Sequence, residues 1–269
     1  MRMFAKRKPY PSDVSDQEWE RLKPLLPPAK RRGRKRTVNL REIVNAIFYV
    51  VRTGCQWDYL AHDFPPPDTV YGYFRQWQND GTWGKVNDTL RRQVREAAGK
   101  DVEASAGVVD SQSAKTTEVS GPRGYDAGKK VTGRKRHLVV DTLGLLLFVL
   151  VHPANIQDRD GARLLFEKIR LRFPRLQLIW ADAGYAGPKL GDWVRHMCHW
   201  ALSIVKRSDN SHGFQVLPKR WIVERTLGWL NRSRRLSKDY EQLPETEEAW
   251  VYAAMTRLML KRLACTPAA

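Results

Sequence analysis

Acidic residues are in short supply in this chain: 29 Asp and Glu stand against 47 Lys and Arg over 269 residues, a formal net charge of +18. So large an excess favours a polyanionic partner, a nucleic acid ahead of an anionic membrane surface. Long apolar runs are also missing. The longest, Leu145 to Val151, is far below the ~20 residues a spanning helix needs. Residues 1–11 carry cations but no apolar stretch of the kind a signal peptide requires. Cysteine is scarce, with Cys55, Cys198 and Cys265 odd in number and far apart, which fits a reducing cytoplasm better than a disulfide framework. Internal repeats and low-complexity tracts are absent as well. Charged and aromatic residues are nevertheless plentiful, so the chain is expected to be globular. At this length it has room for one sizeable core or two unequal domains.

The first hundred residues read as short, aromatic-rich helices. Ser15 and Glu18 have capping-box spacing ahead of Trp19, Leu22, Leu25 and Leu26, and Pro27-Pro28 stops that helix. After a basic run, Lys30 to Arg36, Asn39 opens a second helix through Ile43, Ile47, Val50 and Val51, with Gly54 placed as its C-cap. Pro65-Pro66-Pro67 precedes a third helix from Asp68, and a fourth runs from about Thr82 to Ala98.

From Asp101 the pattern changes. Gly107 to Asp110 reads as a short buried strand, and 117–133 as a loop. His137–Val140 and Leu145–Val151 read as a hairpin around Asp141-Thr142-Leu143-Gly144. Asp160 to Phe173 is helical, Leu176 to Trp180 and Trp200 to Val205 are strands, and helices follow over 221–235 and from Thr246 or Glu247. The expected fold is therefore α/β: a helical module over 1–100, then over 101–269 a mixed sheet flanked by helices.

Within so basic a chain the acids are informative. Glu224 is the only acid between Asp209 and Asp239, among Lys219, Arg220, Arg225, Arg232, Arg234, Arg235 and Lys238. One reading is an i,i+4 salt bridge on a solvated helix, worth a few tenths of a kcal/mol. The other is a metal ligand in a cationic seat for a polyanion. Asp110 and Asp182 each follow an expected strand, so their side chains can converge at one sheet edge with Glu224 on an adjoining helix. Three hard oxygen donors suit Mg²⁺, and two such ions ~4 Å apart can activate a hydroxyl and stabilise a phosphodiester's leaving oxygen. Asp110 or Asp182 alone would more simply cap a turn. His196-Met197-Cys198-His199 lacks the second ligand pair a zinc site needs. Ser111 and Ser113 have no evident histidine partner that would make either a nucleophile. The cations of 31–36 (Arg31, Arg32, Arg34, Lys35, Arg36) and of the loop before the hairpin (Lys129, Lys130, Arg134, Lys135, Arg136) are candidates for phosphate contact.

Three segments, Val108-Val109-Asp110-Ser111-Gln112-Ser113, Trp180-Ala181-Asp182-Ala183-Gly184-Tyr185 and Arg220-Trp221-Ile222-Val223-Glu224-Arg225-Thr226, resemble the catalytic segments of DDE transposases. The match is best to the bacterial insertion-sequence group called the IS-five type. Gly133 to Leu138, Trp229 to Arg235, Trp19 to Pro27 and Gly54-Cys55-Gln56-Trp57 extend the resemblance over nearly the whole chain. It implies a ribonuclease H-like catalytic domain and Asp110, Asp182 and Glu224 as the ligands of two Mg²⁺ or Mn²⁺ ions. It also implies cleavage at the element's terminal inverted repeats followed by strand transfer, and a dimer or higher assembly on double-stranded DNA in the bacterial cytoplasm. Arg220 matches the basic residue of the related IS-four signature, with Arg232 and Arg235 near the same helix face. Leu217 stands where that signature has tyrosine and Asn231 where it has lysine. The separation of Asp182 and Glu224 leaves no room for the large β-rich insertion of some relatives. A ribonuclease H-like nuclease that does not join strands and a non-catalytic DNA-binding repressor are the alternatives.

Overall fold

The structure, a computed structural model, describes residues 7–29, 36–119, 121–205 and 219–265. Arg31, Arg32, Arg34, Lys35 and Leu217 lie outside them.

Four helices come first: α1 (Asp16–Leu22), α2 (Leu40–Thr53), α3 (Pro67–Asn79) and α4 (Thr82–Ala97). Local chemistry fixes their ends. The Ser15 hydroxyl accepts from the Glu18 N–H at 3.2 Å while Glu18 returns a bond to the Ser15 N–H at 2.8 Å, the capping box legible in the sequence. Gly54 closes α2 in the left-handed region at φ 71°, where a side chain would be strained. The sheet follows, with β1 (Ala106–Lys115), β2 (Gly124–Asp126), β3 (Val131–Asp141), β4 (Leu146–Pro153), β5 (Leu178–Ala181) and β6 (Ala201–Ile204). Helix α5 (Asp158–Ile169) crosses from β4 to β5, α6 (Pro188–Trp193) lies between β5 and β6, and α7 (Trp221–Asn231) and α8 (Pro244–Cys265) end the described chain. β1 is central: it pairs antiparallel with β3 and parallel with β5, which is parallel to β6, while β2 and β4 both pair with the far side of β3.

Alternation along the strands builds two cores. Val108, Leu138, Val140 and Leu146 face α7, α8 and the N-terminal helices, whereas Val109, Val139 and Leu147 face α5 and the segment around α6. Residues 7–97 do not stand apart from the sheet. Trp250 of α8 is fully buried, with Phe74 of α3 stacked on it at 4.1 Å and Trp57 at 5.5 Å, so α8 is the common spine of helices and sheet. Among the described residues no helix is long and apolar enough to cross a membrane.

Two strands outrun their sequence signals. β1 continues five residues past Asp110, because its second half pairs with β3 through Lys115 opposite Gly133. β3 begins at Val131, so Arg134, Lys135 and Arg136 are strand residues and not loop residues. Helix α7 ends at Asn231, and Arg234–Leu236 forms a separate 3₁₀ turn.

The outer edge of β4 is closed by side chains in place of a further strand. The Asn87 amide donates to Leu146 O at 2.9 Å, and the Val151 N–H donates to the Glu248 carboxylate at 2.9 Å. Burial pushes the Glu248 carboxyl up to about 7, against the pull of the Val151 N–H. A carboxyl held above its unfolded value favours the folded state only while protonated. Stability is therefore lost as pH rises from the ordinary glutamate range through about 7. Glu248→Gln keeps the acceptor and cannot ionise. Its stability relative to the parent is expected to rise by up to ~3 kcal/mol between pH 5 and pH 8 in urea melts. A pH-independent difference would rule this out.

Candidate active site

β1 and β5 are level where Val108 pairs with Trp180. Two residues further along each chain stand Asp110 and Asp182. The period-2 pleat gives both the side of the sheet on which Val108 lies, the side that α7 covers. Asp110 lies in mid-strand and not at the strand's end, but it is just past the point where the parallel pairing stops. Its Oδ1 accepts from the Ser111 N–H at 2.7 Å. Asp182 caps the 3₁₀ turn Ala183–Tyr185, with Oδ1 accepting from the Gly184 N–H at 2.8 Å. A Cβ on Gly184 would sit 3.0 Å from that oxygen, so the half-buried carboxylate would have to give way to a side chain there.

Glu224 lies in the first turn of α7. The salt bridge considered from the sequence is present: Arg220 Nη2 meets Glu224 Oε1 at 2.9 Å, with both side chains partly exposed. The charge of Glu224 reaches Asp110 all the same. Asp110 is pushed up to about 6, first by burial, then by the charges of Asp182 and Glu224, against the Ser111 N–H and Lys129. Among the described residues no three His, Cys, Asp or Glu side chains are closed into one ligand shell, and Glu224 is turned toward Arg220. The donor set nevertheless suits a hard divalent cation: three carboxylates, one of which, Asp110, is raised first by burial and then by the charges of the other two.

Asp158 and His152, which sequence reasoning passed over, join residues it did name in bracing this edge. Lys135 reaches Asp158 Oδ1 and Ile156 O, each at 3.0 Å, and Asp126 at 3.4 Å. Ser111 Oγ donates to Asp158 at 2.8 Å, and Lys129 Nζ donates to Ser111 O and Oγ at 3.0 and 3.2 Å. Tyr185, fully buried, ties the Asp182 turn to β3 through a chain of fixed polarity. The Pro153 carbonyl can only accept, so His152 Nδ1 carries the proton (2.9 Å). His152 Nε2 then accepts from His137 Nδ1 (2.8 Å), and His137 Nε2 accepts from the Tyr185 hydroxyl (2.8 Å). Burial and the neighbouring His152 push His137 down to about 3, which keeps the chain neutral. A fourth link joins β1 to α7. Arg136 donates to Gln112 Oε1 at 3.1 Å, so the Gln112 amide nitrogen must donate to Asn231 Oδ1, also at 3.1 Å. That bond sits two residues from Asp110 and two helical turns from Glu224. It holds the two acidic elements in register.

Several cations expected at phosphates are internal. Arg134 and Arg136 are 1% exposed and Lys135 5%; their partners are Asp239, Glu247 and Asp158 with nearby carbonyls. Arg235 is buried against Glu241 and Trp250. The expectation of phosphate contact is corrected for these four, since a charge satisfied inside the fold cannot reach a phosphate. Arg36 is half-buried and donates to Pro27 O and Pro28 O at 3.0 Å each. Lys129, Lys130 and Arg232 are exposed.

Residues 102–259, more than half the chain, match the family model described as "Transposase DDE domain". The chain belongs to the DDE transposase family. Its sheet and flanking helices are thus the ribonuclease H-like arrangement of the DDE domain. Residues 14–87 match a second model, "Putative transposase of IS4/5 family". Two curated relatives come from Burkholderia cepacia. An uncharacterized 16.2 kDa protein of insertion element IS402 is 30% identical over 106 residues, 37% of this chain and 71% of that protein. A protein named "Putative transposase for insertion sequence element IS402" is 28% identical over 139 residues, 49% of this chain and 64% of that protein. DDE transposases act on DNA and depend in general on divalent metal.

Proposed function

We propose that this transposase binds the terminal inverted repeats of its own element and carries out strand cleavage and strand transfer at Asp110, Asp182 and Glu224. The observation that supports the reading is the placement of two of the acids just past paired positions on adjacent strands, with the third in the first turn of the helix that covers that face. Asp110 and Asp182 each stand two residues beyond the paired Val108 and Trp180, and after burial itself the charges of Asp182 and Glu224 raise the Asp110 carboxyl. Mg²⁺ or Mn²⁺, as two ions held by these carboxylates, would supply Lewis-acid activation of the attacking oxygen and stabilisation of the leaving one.

The chain's own residues prepare the place. Asp110 is held by the Ser111 N–H and Asp182 by the Gly184 N–H, so two of the ligands are oriented in advance. Glu224 is released from Arg220 when it turns toward the aspartates, which frees the guanidinium for a phosphate oxygen. The exposed Lys129, Lys130 and Arg232 are the remaining cations of the sequence reading that can meet DNA, and two ends brought together call for a dimer or larger assembly.

The test is incubation with Mg²⁺, a labelled duplex carrying the inverted repeat that flanks its gene, and a target plasmid. Labelled DNA joined to the plasmid is expected. Cleavage without joined product would favour a nuclease, and binding without cleavage a repressor.

A further inference from the structure

Three exposed cations that the sequence reading did not assign to DNA line one cleft. A cavity of about 600 Å³ opens where β1 ends, lined by Lys115, Arg123 and Lys238 together with the threonines Thr116 and Thr132. Glu118 is the one carboxylate in its wall. All three cations are exposed, and they come from three separate stretches of chain.

The cleft is built on a buried scaffold. Thr116 pairs with Asp239, and the Asp239 N–H donates to Lys115 O at 3.0 Å, which sets Lys238 beside the end of β1. Beneath them Arg134 is bonded to Asp239 at 3.0 Å and, across the loop, to Pro122 O at 2.6 Å, so Arg123 is carried next to a pinned residue. Gly121, at φ 138°, lets the loop lie against this arginine: a Cβ there would stand 2.1 Å from Gln242 O and 2.6 Å from Arg134 Nη2. The strand arginine thus reaches no phosphate itself and instead fixes the loop that carries one of the exposed cations.

We infer that this cleft holds backbone phosphates of the bound DNA, away from the site of chemistry. The inference rests on the proposed function for the position of the scissile phosphate. Lys115 is five residues beyond Asp110 on one strand, about 17 Å at ~3.3 Å per residue, and the odd count turns its side chain to the other face, so the duplex meets it at the strand's end. A duplex advances ~3.4 Å per base pair, so the phosphates in the cleft lie about five base pairs from the cleaved bond. Three cations against one acid give the cleft a net positive charge, and no base-edge reader is needed: the contact is to backbone and positions the duplex without reading its sequence.

The experiment compares the parent with the triple variant Lys115→Ala, Arg123→Ala, Lys238→Ala, using the repeat duplex described above. Binding is measured over a range of salt concentrations without metal, and cleavage at saturating DNA with Mg²⁺. Each lost phosphate contact removes ~0.9 from the slope of log affinity against log salt, so the variant's slope should be shallower by about 2.7. Its cleavage rate at saturation should match the parent's. A methylphosphonate placed about five nucleotides from the cleaved bond should weaken the parent and leave the variant unaffected. An unchanged slope in a variant that melts like the parent overturns the cleft. A parent that binds the duplex and loses its slope in the variant but never cleaves keeps the cleft and overturns the proposed function. A parent that does neither overturns both.

Discussion

Asp110→Asn is expected to lower strand cleavage by at least ~10³-fold, equivalent to about 4 kcal/mol of lost transition-state stabilisation, while the protein stays folded. The two halves of this expectation have different causes. Asparagine keeps an oxygen that can accept the Ser111 N–H, now bonded at 2.7 Å, and it fills the same volume. It also removes a buried charge that Asp182 and Glu224 already disfavour. The melting temperature should therefore hold or rise. What is lost is the anionic donor at the centre of the three-acid edge, and an amide oxygen is a poor substitute toward a divalent cation. Cleavage of the labelled repeat duplex, DNA affinity without metal, and thermal melting together check it. Activity within tenfold of the parent would remove Asp110 from the chemistry. A fall in activity that tracks a fall in melting temperature would make its role structural.

The elements that carry the three acids were legible because each has a local pattern: apolar residues before Asp110 and Asp182, a helical period around Glu224. Helix ends were legible for a similar reason, since Ser15, Glu18 and Gly54 act within a turn of their own positions. The first half of β3 was not, although His137–Val140 was. Gly133-Arg134-Lys135-Arg136 has the composition of a loop, and what makes it strand is paired acid far away in the chain: Asp158, Asp239 and Glu247. Charge in a sequence says nothing of whether it will be satisfied inside or outside, and here the densest basic cluster among the described residues is largely inside. Asn231 shows the same limit from the other direction. Set against the signature it looks like a missing cation, whereas in the fold its side chain takes the Gln112 amide and ties α7 to β1. Asp158 carries no local signal beyond a position that opens a helix, yet through Ser111 it touches the residue next to Asp110.

Arg134→Met should be the most damaging single change for stability, about 3–5 kcal/mol. The guanidinium is 1% exposed and makes bonds to Asp239 Oδ2 (3.0 Å), Glu241 O (2.8 Å), Gln242 O (2.7 Å) and Pro122 O (2.6 Å). Methionine fills most of the volume but donates nothing. It leaves a fully buried carboxylate at Asp239 and three carbonyls without this donor, each costing on the order of 1–3 kcal/mol if water cannot reach it. The loop to α8 and the loop after β1 are both held by this one side chain, so the loss is not local. Adding Asp239→Leu should recover part of the stability, because the stranded charge goes while the orphaned carbonyls remain. Urea melts of the two single variants and the double variant measure the coupling, with an unchanged m-value marking intact cooperativity. The expectation from sequence was that Arg134 binds DNA. In that case Arg134→Met would melt like the parent, and only its salt slope would fall, by about 0.9. A large drop in the urea midpoint assigns Arg134 to the fold; an unchanged midpoint with a shallower slope returns it to the DNA surface.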